Sequence, residues 1–405
     1  GFRVVRCEAG THPVDGREPL QARTVLEFDP EDYDSLAGAA HRYSIRRNAV
    51  FPGEGVPDGP HVAATASTPG PVRSSPVVHD GIAYFGARPG PDGEGGAFYA
   101  AEADTLDVLW RVAVPGGADG SGCVHGGTVY FGGRDGKLYA VTAGRGGGAV
   151  RWAAATGAAA LDSAPAVVYE RVFVLIGGYG PDAGIKAFDS RTGEMAYLYA
   201  AHPYGRAAAC LTPELALCTH VAADRVYAAR LRDEMPAWTG KLLSHSRNDV
   251  VVADGTVYAV MGGGMIGGFN KPGSLGAFDL QSGQRYWKRP IEAHIDGKAY
   301  CFSSPVVWHG RIFLGMDNGY LHVYDAETGE PLPWRVRAKD SSGQPAAIRT
   351  SPSVSAPNGT VYFGAADGVL RALDGRTGTM RWRLRLSEGP IECSVWVWGQ
   401  AIFVG

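Results

Sequence analysis

His245-Ser246-Arg247-Asn248-Asp249 is the most polar run in this chain that leads directly into an apolar, β-branched segment. An imidazole beside a guanidinium and a carboxylate can serve as a general base or as a ligand. A solvated turn uses the same residue types, so the run becomes a site only if the fold brings partners to it. Arg73, Asp162, Cys301, Arg349 and Glu392 stand in the same kind of place, just ahead of an apolar segment. Arg134, Tyr179, Asp182, Asn270, Lys271 and Asp317 occupy turns between such segments. Together they could orient a polar ligand in a concave mouth.

Established catalytic spacings are absent from the sequence. It contains no Ser-x-x-Lys, Gly-x-Ser-x-Gly or His-Glu-x-x-His. Met261-Gly262-Gly263-Gly264-Met265-Ile266-Gly267-Gly268 lacks the Gly-Lys-Ser/Thr ending of a phosphate loop, and no helix pattern follows it. His79, His125 and His309 sit in turns of three different repeats, so they cannot share a metal, and no metal site is expected. The six cysteines, Cys7, Cys123, Cys210, Cys218, Cys301 and Cys393, form no Cys-x-x-Cys. Cys210 and Cys218 fall in neighbouring strands, where geometry alone decides pairing.

These residues must be positioned by strands. Runs such as Ile82-Ala83-Tyr84-Phe85-Gly86 are β-branched and aromatic, and Asp, Asn and Gly punctuate them. That pattern predicts short antiparallel strands joined by tight hairpins. Four runs make one copy, and the copy recurs. The closing aromatic falls at Trp110, Trp152, Tyr197, Trp238, Trp287, Trp334 and Trp382, at spacings of 42, 45, 41, 49, 47 and 48. Even periodicity of this size means stacked supersecondary units. Gly, at 58 of 405 residues, is about twice its usual share of roughly 7%. Such an excess supplies many turns.

The chain stops half-way through an eighth copy. Cys393 to Gly405 supplies two runs, and Gly1 to Gly10 has the shape of a third. An unpaired sheet edge invites aggregation, and ring closure removes it. An all-β fold is therefore expected: an eight-bladed β-propeller of four-stranded antiparallel blades, closed by N- and C-terminal strands sharing one blade. Residues 1–27 would complete the last blade, 28–73 would be an inserted capping segment, and 74–405 would form the remaining blades. In such a blade the first strand lines the channel. The loops from strand two to three and from strand four to the next strand one share a face, here the upper face. Both large insertions, 28–73 and 261–273, are expected there, as lids or binding loops.

The repeat resembles that of the pyrroloquinoline-quinone (PQQ) β-propeller family, Ala-x-Asp-x-x-Thr-Gly-x-x-x-Trp. Ala372, Asp374, Thr377, Gly378 and Trp382 match it; Ala277, Asp279, Gly283 and Trp287 match with Ser282 for Thr. Ala187, Asp189, Thr192 and Gly193 match without the Trp. The resemblance implies that each Trp packs between neighbouring blades. It covers quinoprotein alcohol and sugar dehydrogenases, an outer-membrane assembly lipoprotein and sensor domains of bacterial kinases, so a bacterial source is expected. The dehydrogenases carry adjacent cysteines above the cofactor, and an acidic residue and Asn on calcium. This chain has no Cys-Cys pair, which disfavours PQQ with calcium, and no cofactor is expected.

The formal net charge of −3 argues against nucleic-acid steering. No apolar run is long enough to span a bilayer, and Gly1 is not followed by a leader peptide. An exported, periplasmic or extracellular, location is favoured by the resemblance. The functional expectation is a monomeric, non-catalytic propeller that binds a protein partner or a small polar ligand on its upper face. Arg134, Asp162, His245, Arg247, Asn248, Arg349 and Glu392 are its candidate contacts. The alternative is an enzyme using the channel mouth, either a divergent quinoprotein oxidoreductase or a recruited biosynthetic enzyme.

Overall fold

Apolar runs pair with apolar runs in every repeat. Thr128–Gly132 and Thr360–Gly364, second strands of their sheets, are buried along their whole length, because sheets pack against both of their faces. The third strand is buried except at its ends, as in Lys137–Thr142, and the outermost strand is largely exposed, as in Val150–Ala155. The structure, a computed structural model, describes residues 2–9, 49–177, 183–199, 209–219, 225–231, 235–242, 250–262, 264–266, 269–271, 273–291, 301 and 303–405. Every regular element among them is a strand. They form eight four-stranded antiparallel sheets, the blades of a β-propeller, as expected. Among the described residues no helix is long and apolar enough to cross a membrane.

The repeated motif ties neighbouring blades together. Asp279 accepts the N–H of Ser282 at 2.7 Å and its hydroxyl at 2.6 Å, which closes the turn between strands three and four. Gly193, Gly283, Gly329 and Gly378 end such turns at φ between 69° and 75°. A Cβ at Gly193 would lie 2.7 Å from Trp152 of the preceding blade, and the other three abut Trp238, Trp287 and Trp334 in the same way. Glycine is thus required twice, for its φ and for the indole lying on it. The indole N–H then donates to the turn: Trp152 to Ser190 O at 3.0 Å, Trp238 to Leu280 O at 2.9 Å, Trp287 to Ala326 O at 3.2 Å. A buried indole needs such an acceptor.

The eighth blade joins both ends of the chain. Val5 faces Val404 and Cys7 faces Ile402, so Phe2–Ala9 is the third strand beside Ala401–Val404. A serine ladder crosses the joint on the channel side. The N–H groups of Ser304, Ser351 and Ser394 donate to the hydroxyls of Ser351, Ser394 and Ser75 at 3.0, 2.9 and 3.1 Å, from blade six round to blade one.

The structure corrects the expected 28–73 cap. Pro60–Thr68 pairs along Phe2–Ala9 and is the fourth strand of the eighth blade, not part of a lid. The insertion therefore joins strand three to strand four, and its described part, 49–59, lies on the lower face. Residues 10–48 lie outside the described residues. Val50–Phe51 runs parallel to Val354–Ser355 on the axial side of blade seven. Phe51 packs edge-on to Trp396 with ring centroids 4.9 Å apart. The strap then crosses the lower face: the Gly55 N–H donates to Gly399 O at 2.9 Å, and the Ser355 hydroxyl donates to Gly53 O at 2.7 Å. The second insertion stands where expected. Its hairpin, Gly264–Ile266 with Phe269–Lys271, connects strands two and three of blade five.

Candidate functional site

Two positions of the repeat face the upper mouth of the channel. One lies four residues before the first strand: Arg73, Asp119, Asp162, Arg349 and Glu392. The other follows the second strand: Arg88, Arg134 and Asp317. The strand-two loop of one blade meets the segment leading into the next blade, so the two positions touch. Arg88 Nε donates to Asp119 Oδ1 at 2.7 Å, and its Nη2 bonds Oδ2 as well. Arg134 Nη1 bridges Asp119 at 3.1 Å and Asp162 at 3.2 Å. Arg349 holds Asp317 with both arms, at 3.0 and 3.1 Å. Arg73 meets Glu392 at 3.2 Å.

These contacts run over two arcs of the rim. The Asp119 carboxylate is the most enclosed member, with 8% of its side chain exposed, and it receives two guanidiniums. The hydrogen bond to Asp119 pushes Arg88 above its ordinary value, and the bond to Asp317 does the same for Arg349. Glu392 adds its field to both. The arrangement can hold loops in place and present fixed charge of both signs.

Of the residues expected at the mouth, the structure brings Arg134 and Asp162 together, and seats Arg349 and Glu392 on the same rim with other partners. His245, Arg247 and Asn248, with Asp249, Tyr179 and Asp182, lie outside the described residues, so the polar run that opened the sequence reading has no described geometry. Asn270 and Lys271 belong to the hairpin of blade five. Cys301 is buried behind the rim and its thiol donates to Gly315 O at 3.4 Å. Arg88 and Asp119 were missed. Their signal was positional, because Asp119 is the blade-two counterpart of Arg73, and Arg88 the blade-one counterpart of Arg134. Beside the rim, a groove of about 890 Å³ opens between blades seven and eight, bounded by Pro71, Arg73, Arg385, Leu386, Ile391 and Glu392.

The family model described as outer membrane protein assembly factor BamB matches residues 62–239, 99–334 and 236–399, which together take in most of the chain. This chain belongs to that family. Its PQQ-like repeats also resemble quinoprotein dehydrogenases. Quinohemoprotein alcohol dehydrogenase ADH-IIG of Pseudomonas putida is 29% identical over 123 residues, 28% of this chain and 17% of that protein. Outer membrane protein assembly factor BamB of Yersinia pestis is 27% identical over 169 residues, 40% of this chain and 39% of that protein. The chain thus spans well under half the length of these curated relatives. Among solved structures, BamB from Moraxella catarrhalis superposes with a TM-score of 0.59 at 17% identity, over 84% of this chain and 94% of that one. A europium-containing methanol dehydrogenase gives 0.59 at 14% identity, over 82% of each chain. At these identities the likeness is one of fold.

The dehydrogenase resemblance places adjacent cysteines above its cofactor, and the cysteines of this BamB-family propeller lie apart. All six cysteines are buried, and they are spread over blades two, four, six and eight. Cys210 faces Leu217 across the sheet, so Cys218, one residue on, points to the other side, and the two cannot bridge. Among the described residues no group of three or more His, Cys, Asp or Glu side chains is placed to hold a metal ion.

Proposed function

We propose that this BamB-family chain is a non-catalytic propeller that docks a protein partner on its upper face, around the charged rim. The observation that carries the reading is the double grip on Asp119 by Arg88 and Arg134, with Arg134 passing on to Asp162. Side chains that could have moved protons are instead locked against fixed cations. A rigid rim of alternating charge serves orientation and partner choice better than acid–base chemistry. The relatives named for outer membrane protein assembly support a partner that is itself a protein, and an exported location. The reading includes no PQQ and no calcium.

Two measurements test it. A photo-crosslinker at exposed Ser387, beside the rim, should capture a partner that one at exposed Gln400 on the lower face does not. Arg134→Glu should abolish that capture without lowering the melting temperature to the unfolding range. Capture from the lower face alone contradicts the reading. Separately, PQQ with calcium should leave visible absorbance and melting temperature unchanged, since a ligand of the folded state must raise apparent stability. A shift would make the chain a quinoprotein.

A further inference from the structure

Basic charge is concentrated on one flank of the ring. The outermost strands of blades five and seven, Arg285–Pro290 and Met380–Arg385, and the segment 334–339 around the blade-six strand Val336–Arg337 carry nine Lys and Arg side chains, three each, and no Asp or Glu. The outermost strands of the five other blades carry three between them, Arg111, Arg151 and Lys241. Without the nine, the sequence holds 29 Lys and Arg against 41 Asp and Glu, so the flank opposes the sign of the rest of the molecule. Lys and Arg on a sheet edge also discourage edge-to-edge pairing. That need is common to all eight blades and does not explain confinement to three adjacent ones.

Local geometry shows crowding of like charge. Arg335 and Arg337 both lie over the ring of Tyr320, at 4.3 and 5.2 Å from its centroid. Burial, then the neighbouring Arg285 and Lys241, hold Lys288 below its ordinary value. The Nε groups of Arg311, Arg337 and Arg381 are enclosed and have no acceptor among the described residues. Carboxylates do reach part of the belt: Glu330 meets Arg289 at 2.7 Å, Asp374 meets Arg381 at 2.8 Å, and Glu388 approaches Arg385 at 3.7 Å. Arg383 and Lys339 are exposed, as are Tyr286 and Met380 on the outer strands of blades five and seven, at 55% and 38%.

We propose that the outer flank of blades five to seven is a second docking surface, for an acidic, aromatic-containing polypeptide segment. Shape decides between anionic partners. Each blade is turned by an eighth of a revolution from the last, so the belt is convex, and a flat bilayer would meet one blade at a time. An extended chain can bend round all three. Acidic side chains would engage the guanidiniums, and rings would find Tyr286, Met380 and the Arg-capped Tyr320. This surface lies on the side of the ring, meets the groove beside the rim only at Arg385, and does not depend on what binds at the rim.

The test uses the full chain and a short fluorescein-labelled peptide of alternating Glu and Tyr, read by anisotropy. Binding should weaken steeply with salt. It should fall about tenfold in the triple variant Arg335→Gln, Lys339→Gln, Arg383→Gln, and stay unchanged in Arg111→Gln, Arg151→Gln. Melting temperatures of both variants, expected near that of the parent, check that the ring is intact. Absence of binding at low salt, or equal loss in the two variants, overturns the proposal. So does co-sedimentation with phosphatidylglycerol vesicles that the triple variant abolishes while the peptide fails to bind, which would assign the belt to a membrane.

Discussion

The indole N–H of Trp382 donates to the carbonyl of Val56 at 2.7 Å, and the Val56 N–H donates in turn to the hydroxyl of Tyr362 at 2.8 Å. In blades one, two, four and five this acceptor belongs to the turn between strands three and four of the next sheet. The eighth blade takes those strands from Phe2–Ala9 and Pro60–Thr68, with a long insertion between them. Val56, in the strap, stands in for the missing turn. At the opposite joint Ala64 occupies the Trp position, and Arg6 reaches across to Asp104 O at 3.4 Å. The seam of the ring is therefore closed by substitutes for the repeated tie.

Trp382→Phe should destabilise the protein by about 1–3 kcal/mol in urea, because it leaves a buried carbonyl without its donor. Hydrogen exchange should accelerate across 49–58. Trp152→Phe should cost a similar amount and leave 49–58 as protected as before. If both variants loosen the strap equally, the Trp382 bond is not what holds it.

Gly378 and Gly255 share a positive φ, 75° and 72°, but only Gly378 is roofed by an indole. Gly255→Ala should cost about 1–2 kcal/mol, the backbone term alone. Gly378→Ala must also displace Trp334, and should cost at least about 1 kcal/mol more. Equal midpoints in chemical denaturation would mean that the indole gives way freely.

Three turn aspartates lie below the ordinary carboxylate range. The Thr192 N–H lowers Asp189, the Ser282 hydroxyl lowers Asp279, and the Thr328 N–H lowers Asp325 against a smaller effect of burial. Their folded values are below the unfolded ones, so their stabilisation is present above about pH 4 and is lost as pH falls through the folded values. Asp279→Asn with Asp325→Asn should make the acid limb of stability against pH shallower below about pH 4. An unchanged slope would place the acid sensitivity elsewhere.

Burial pushes the Cys7 and Cys123 thiols up to about 12. Neither should react with iodoacetamide at pH 8 in the native state, since the thiolate is the nucleophile. Cys7 lies in the blade built from both chain ends, Cys123 in a continuous one. In mild urea Cys7 should therefore label first. Identical labelling rates would show that the ring opens as one unit.

Much of this was legible in the residues. Trp spacing marked the blades, and the half-copy at Cys393–Gly405 required strands from the N-terminus. Asp162, Arg349 and Glu392 were placed on the rim by counting back from each first strand, and Arg134 by its turn after a second strand. Their partners were less visible, because Asp119 and Arg88 look like ordinary turn residues until two blades are set side by side. The strap was misplaced for a related reason. Pro60–Thr68 lacks the closing Trp and its neighbours lack Thr-Gly, so the repeat signature did not extend to it.

Short-range terms, namely period-two burial, Asp-x-x-Thr-Gly turns and glycines at positive φ, act within one copy and can be read along the chain. They determined the blade, the number of copies and the need for closure. The tertiary structure decided which face carries the strap, which carboxylate each rim guanidinium grips, and that nine cations share one flank. Those depend on residues more than 300 positions apart meeting only once the ring has closed, and no local pattern encodes such a meeting.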